Sequence, residues 1–122
     1  MNPIDIQVKT QYIQEQSKPE AGRFVYSYTI TLSNNGTDAA KLISRHWVIT
    51  DANEAVQEVQ GIGVVGEQPH LEPGQEFTYT SGVVLDTETG TMTGTYHMQR
   101  DGGEKFNAEI PAFVLVPPHA VH

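Results

Sequence analysis

The sequence predicts an all-β fold in which two antiparallel sheets, about seven short strands in all, pack face to face. Three observations carry that expectation. Apolar residues recur at every second position through several windows, the period of a half-buried strand. Clusters of Gly, Pro, Asn and Asp separate those windows at short intervals. No window of about a dozen residues holds the helical period that a packed helix would need.

Taken in order, Ile4, Ile6 and Val8 alternate with Asp5, Gln7 and Lys9, and Tyr12 extends the apolar face of this first strand. The polar stretch that follows, with Pro19 and Gly22, reads as a hairpin loop. Phe24, Tyr26, Tyr28, Ile30 and Leu32 then share one face, with Ser27, Thr29 and Thr31 on the other. Ser33-Asn-Asn-Gly-Thr-Asp38 is a turn, because Asn and Gly tolerate positive φ. A third strand covers residues 42–50, and residues 51–59 could hold a turn of helix on propensity alone. Further strands are expected at 56–60, 76–80, 92–99 and 105–115, divided by Glu72-Pro-Gly-Gln75, Thr87-Glu-Thr-Gly90 and Arg100-Asp-Gly-Gly103.

Two positions sharpen the sandwich to an immunoglobulin-like or fibronectin type III-like one. Such folds carry a core Trp on the third strand and a Tyr near the start of the sixth. Trp47, the only Trp, lies on the third expected strand, and Tyr96 opens the sixth, with Met98 where an antibody domain has its second Cys. Residues 1–116 are expected to form the domain and residues 117–122 a loose tail, since Pro117 and Pro118 cannot donate to a strand ladder.

Composition narrows the function classes. A chain of 122 residues suits one domain, and the absence of Cys excludes disulfides, thiolate metal sites and a thiol nucleophile, which points to the cytoplasm. No basic, apolar leader and no membrane-length apolar run is present. The net charge is −8, from 15 acidic and 7 basic residues. The basic residues are scattered singly, whereas phosphate-backbone binding needs a clustered cationic face, so nucleic acid is not an expected partner.

The candidate site is a glycine pattern in an unexpected setting. Gly61-x-Gly63-x-x-Gly66 has dinucleotide-type spacing, but Pro69 and Pro73 follow at once, so no helix can begin there to hold a pyrophosphate. Without a helix, Gly61, Gly63 and Gly66, with Gln68 beyond them, could still form an anion nest for phosphate. The competing reading is that the glycines serve tight turning and close backbone approach. Ile62, Val64 and Val65 are the best candidates for an exposed apolar patch that a partner would cover, unless a neighbouring strand covers them.

Other chemistry is thin. His46, His70, His97, His119 and His122 raise the question of a metal. Their spacing does not support a site, although His46 and His97 could approach if the third and sixth strands pair; no metal or cofactor is expected. Ser81 lacks the setting of an activated nucleophile. Glu54, Glu58, Asp86 and Glu88 fall in turns or at strand ends, so catalysis is not expected. Arg45 shares the core-facing side of its strand with Ile43, Trp47 and Ile49 and needs a carboxylate or several carbonyls, with Asp51 or Glu58 as the available charges.

Several segments together resemble the ApaG family of small bacterial proteins: Ser44-Arg-His-Trp-Val-Ile-Thr-Asp51, Glu58-Val-Gln-Gly-Ile-Gly-Val-Val-Gly-Glu-Gln-Pro69, Glu72-Pro-Gly74, Phe77-Thr-Tyr-Thr-Ser-Gly82, Gly90-Thr-Met-Thr-Gly-Thr-Tyr-His-Met98 and Ile110-Pro-Ala-Phe-Val-Leu115. The resemblance spans most of the chain. It departs at Glu88, where the family commonly has Pro, which bears on the rigidity of that loop. It implies a fibronectin type III-like domain with no established reaction, loosely linked to cobalt tolerance and magnesium efflux, whose relatives inside larger proteins look like protein-binding modules.

The expected function is therefore a non-enzymatic protein-binding module that works through residues 61–82, with Gly61, Gly63, Val64, Val65, Gly66 and Gln68 as candidate contacts for phosphate or a partner. The partner is unnamed, and a homodimer or an edge-strand partner is plausible. The alternative is a small-ligand protein that senses nucleotide, pyrophosphate or divalent metal.

Overall fold

The computed structural model describes residues 3–118. Eight strands follow in chain order: β1 (Ile4–Tyr12), β2 (Phe24–Asn34), β3 (Ala40–Asp51), β4 (Val56–Ile62), β5 (His70–Leu71), β6 (Glu76–Leu85), β7 (Gly90–Arg100) and β8 (Lys105–Leu115). Two single 3-10 turns, Gln14–Gln16 and Pro19–Ala21, break the loop between β1 and β2. One sheet has the order β1-β2-β6 and the other β4-β3-β7-β8, with β5 added to β3, and all pairs are antiparallel.

Alternation determines which side chains meet between the sheets. Tyr26, Tyr28, Ile30 and Leu32 of β2 face Leu42, Trp47 and Ile49 of β3 and Met92, Tyr96 and Met98 of β7 in one core cluster. Trp47 stands near its centre, with its ring edge-on to Tyr28 at 5.3 Å, to Phe113 at 5.9 Å and to Tyr96 at 6.3 Å, arrangements that the aromatic quadrupole favours. Asn34 is the buried polar residue of the core. Its Nδ2 donates to the carbonyls of Asp38 and Leu71, and its Oδ1 accepts from the Gly36 amide.

The sandwich expectation holds, with local differences. Residues 51–59 form a hairpin rather than a helical turn. Asp51 Oδ1 accepts from the amides of Asn53 and Ala55, and Glu54 adopts φ 64. The two-residue β5 carries no readable alternation. The loop at Glu88 is tied at three points: Tyr26 donates its hydroxyl hydrogen to the Glu88 carbonyl, Thr87 Oγ1 donates to Thr89 O, and the Ala52 amide donates to Thr87 Oγ1. Pro117 is buried, while His119 and His122 of the expected tail lie outside the described residues.

The two long seams of the sandwich differ. Along one side β1 packs against β8. Along the other, the terminal strands β4 and β6 stand apart and a cavity opens between them. No helix among the described residues is long and apolar enough to cross a membrane.

Candidate functional site

The glycine segment closes β4 and turns into a tight hairpin. The Gly63 amide donates to Ile43 O at 2.8 Å, and Val64 and Glu67 exchange two backbone hydrogen bonds of 2.8 and 2.9 Å, leaving Val65 and Gly66 at the tip. Both tip residues have positive φ, 41 for Val65 and 81 for Gly66, as a two-residue hairpin turn that matches strand twist requires. Gly63 has φ 63, and a Cβ there would stand 2.9 Å from the Glu67 carbonyl carbon and closer still to its oxygen. Gln68 braces the same loop, with Nε2 donating to Ile43 O at 3.0 Å. The amides of Gly63, Val64 and Glu67 are thus engaged within the backbone rather than turned together toward an anion.

The apolar residues of the segment divide. Ile62 is 77% and Val65 55% exposed, but Val64 is fully buried and belongs to the core cluster. Val64 therefore departs from the expected exposed patch, because the hairpin folds it inward while turning Val65 out. A β-branched residue with φ in the left-handed region is sterically strained, and Val65 holds that strain at an exposed tip.

Of the two kinds of partner expected for Arg45, the structure has carbonyls and not a carboxylate. Glu58 instead lies 2.7 Å from His46 Nε2, and Asp51 caps its own turn. The Arg45 Nη1 donates to Gly63 O at 2.8 Å and to Ile62 O at 3.4 Å. Gly61 stands opposite Arg45 in the β3–β4 register. A Cβ on Gly61 would come within 2.7 Å of Nη1 and 3.0 Å of Nη2, so the missing side chain leaves the guanidinium its place.

The cavity in the open seam has a volume of about 420 Å³. Its walls include Tyr28, Trp47 and Tyr79, with Arg45, Gln57 and Ser81 as polar members and Val64 and Val65 of the hairpin beside them. A smaller hollow of about 120 Å³ continues along the seam and shares Ile49, Gln57 and Val84 with the first. Behind Tyr79, its hydroxyl shares a hydrogen bond with that of Tyr96. Burial pushes both hydroxyl pKa values well above the ordinary tyrosine range, so neither serves as a base near neutral pH. The Trp47 Nε1 hydrogen is buried without an acceptor among the described residues.

The remaining candidates do not assemble into a centre. His46 and His97 share a sheet but turn to different partners, Glu58 and Asn107, and His70 meets Asp101 at 2.8 Å. Among the described residues no three His, Asp or Glu side chains group to hold a metal. Ser81 lines the cavity, whose walls hold neither a His nor a carboxylate to activate it. The cavity was not expected from the sequence. Its one legible trace was Arg45 on a core-facing register beside Trp47.

The family model of the ApaG domain matches residues 14–100. Protein ApaG of Thiobacillus denitrificans is 59% identical over 119 residues, covering 98% of this chain and 94% of its own. Protein ApaG of Dechloromonas aromatica is 56% identical with the same coverage. A crystal structure of a Bordetella pertussis protein named ApaA superposes with TM-score 0.94 at 46% identity, covering 98% of both chains.

Proposed function

The chain belongs to the ApaG family, and from that premise we propose that it is a binding module rather than an enzyme, recognising a protein partner with the hairpin at residues 61–66 and the open seam between β4 and β6. The observation that carries this reading is Val65: a β-branched residue in a strained conformation, more than half exposed, at the lip of an aromatic cavity. Strain of this kind persists only where the surrounding structure enforces it, and it gathers at sites of recognition. Ile62 beside it adds exposed apolar surface.

The edges that flank the cavity support the same reading. Free edge strands are commonly blunted by Pro, Lys or a bulge. Neither β4 nor β6 contains Pro or Lys, and each carries a single charged residue, Glu58 and Glu76. Such edges suit pairing with an extended segment of another chain. Phosphate binding at the glycines is less well supported, because the Gly63, Val64 and Glu67 amides are engaged in the hairpin.

The test is retention of proteins from a bacterial extract on the immobilised native chain, beside Ile62→Asp and Val65→Asp variants that melt at the native temperature. At least one protein should be retained by the native chain and lost by both variants. Retention indifferent to both substitutions would remove this surface from the function.

A further inference from the structure

Resting on the binding-module reading, we infer that the seam cavity captures the C-terminal carboxylate of the partner chain, with an apolar last residue against the aromatic wall and the carboxylate on Arg45. In a chain of net charge −8, the cavity walls hold one charged side chain, Arg45, and no carboxylate. Among the described residues only Nη1 of Arg45 is engaged, on two carbonyls of the hairpin. Nε and Nη2 keep their donors. A planar fork fixed at one corner matches a carboxylate, which takes two parallel N–H bonds. A pyrophosphate would carry more charge than one guanidinium answers.

Trp47 belongs to the aromatic wall, with the Cε3 edge of its indole toward β7, 3.0 Å from where a Gly94 Cβ would stand. Its Nε1 is sealed inside the protein and takes no part in holding an occupant. The apolar last residue packs against the wall that Tyr28, Trp47 and Tyr79 form, and burial of that apolar surface adds to the carboxylate contact.

A chain terminus fits better than a mid-chain acid or a free acid because Arg45 stands at the hairpin end of the cavity, beside Val64 and Val65 and tied to Gly63 O. Away from it the smaller hollow carries the seam onward between the unpaired edges of β4 and β6. An extended segment can leave by that route, its backbone alongside the free strand edges.

Trp47 is the only Trp, so its emission reads the cavity directly. The probes are an N-acetylated pentapeptide ending in phenylalanine, its C-terminal amide, and 3-phenylpropionate, each titrated into the full native chain. The expected result is a saturable change with the free-acid peptide, and at least about tenfold weaker binding of the amide and of 3-phenylpropionate. Arg45→Met should abolish the preference for acid over amide, and Arg45→Lys should keep part of it; if the Met variant does not fold, the comparison on the native chain decides alone. Equal binding of acid and amide, or no binding of either, overturns the inference. Binding of 3-phenylpropionate as tight as that of the peptide overturns the choice of a chain terminus in favour of a small acid. If every peptide fails while Val65→Asp still loses its protein from extract, the binding-module reading stands without this inference; if that loss is also absent, both fall.

Discussion

Replacing the three glycines of residues 61–66 by alanine, one at a time, separates a conformational role from a ligand-binding one. At Gly63 the new residue would adopt φ 63, a left-handed conformation that costs about 1–2 kcal/mol for an L-residue. Its Cβ would also collide with the Glu67 carbonyl, so the Val64–Glu67 pair must open and Val64 must shift in the core. Losing one such hydrogen bond adds about 1 kcal/mol, and the displaced Val64 raises the total for Gly63→Ala to roughly 3 kcal/mol. Gly66→Ala meets nothing within 4 Å at φ 81, so it should cost only the conformational term, about 1 kcal/mol. Gly61→Ala needs no unusual φ but displaces the Arg45 head; because that head is partly exposed and rehydrates, about 1 kcal/mol is expected. Urea unfolding followed by Trp47 emission measures all three. Gly63→Ala should lower the melting temperature by about 10 °C, at roughly 3–4 °C per kcal/mol for a domain of this size. A Gly63→Ala variant within about 0.5 kcal/mol of native would refute the assignment of this glycine to backbone geometry.

The hydroxyls of Tyr79 and Tyr96 predict a non-additive cycle: Tyr79→Phe or Tyr96→Phe alone should cost about 1–3 kcal/mol by leaving a buried hydroxyl without its partner, and the double variant should cost less than the sum, as chemical denaturation would show. Burial pushes Tyr26 up to about 12 and Tyr79 and Tyr96 higher still. Folded values above the unfolded value near 10 mean that stability is full below about pH 10 and falls as pH rises beyond it. Tyrosinate absorbance from these three should therefore appear together with loss of the far-ultraviolet β signal, not before it. Asn34→Ala removes three hydrogen bonds, two to the carbonyls of Asp38 and Leu71 and one from the Gly36 amide, and should cost about 2–4 kcal/mol by denaturant titration. Val65→Asn places the preferred Asn-Gly pair at the hairpin tip and should raise stability by about 1 kcal/mol while weakening retention of the partner.

Much of the fold was legible because alternation and turn chemistry are local. Phe24 to Leu32 announces β2 by side-chain order alone, and Trp47 and Tyr96 announce the sandwich by their places on β3 and β7. The site was less legible because its parts meet through pairing across the sheets. The sequence marks Gly61, Gly63 and Gly66 as a group, but not that Gly61 stands across from Arg45, a register set by the β3–β4 hairpin. Val64 and Val65 look equivalent as a pair of apolar residues, and only the two-residue turn sends one into the core and the other outward. The cavity depends on β4 and β6 ending their sheets on the same side, which local pattern does not encode.

These parts act on one another in a single line. Gly61 has no side chain, so the Arg45 guanidinium can lie against β4 and reach the carbonyls of Ile62 and Gly63. Those bonds hold the base of the hairpin, whose two-residue turn then forces Val65 into positive φ. The same guanidinium is the charged member of the cavity wall. Whatever draws on the free edge of Arg45 therefore also loads the carbonyls that position Val65, which couples the interior of the seam to its exposed lip. Occupation of the cavity and order of the hairpin should consequently rise together, so a ligand on Arg45 should slow amide exchange at Glu67, which does not line the cavity. Slowed exchange at the cavity walls with Glu67 unchanged would show that Arg45 binds the loop and the ligand independently, and the coupling would fail.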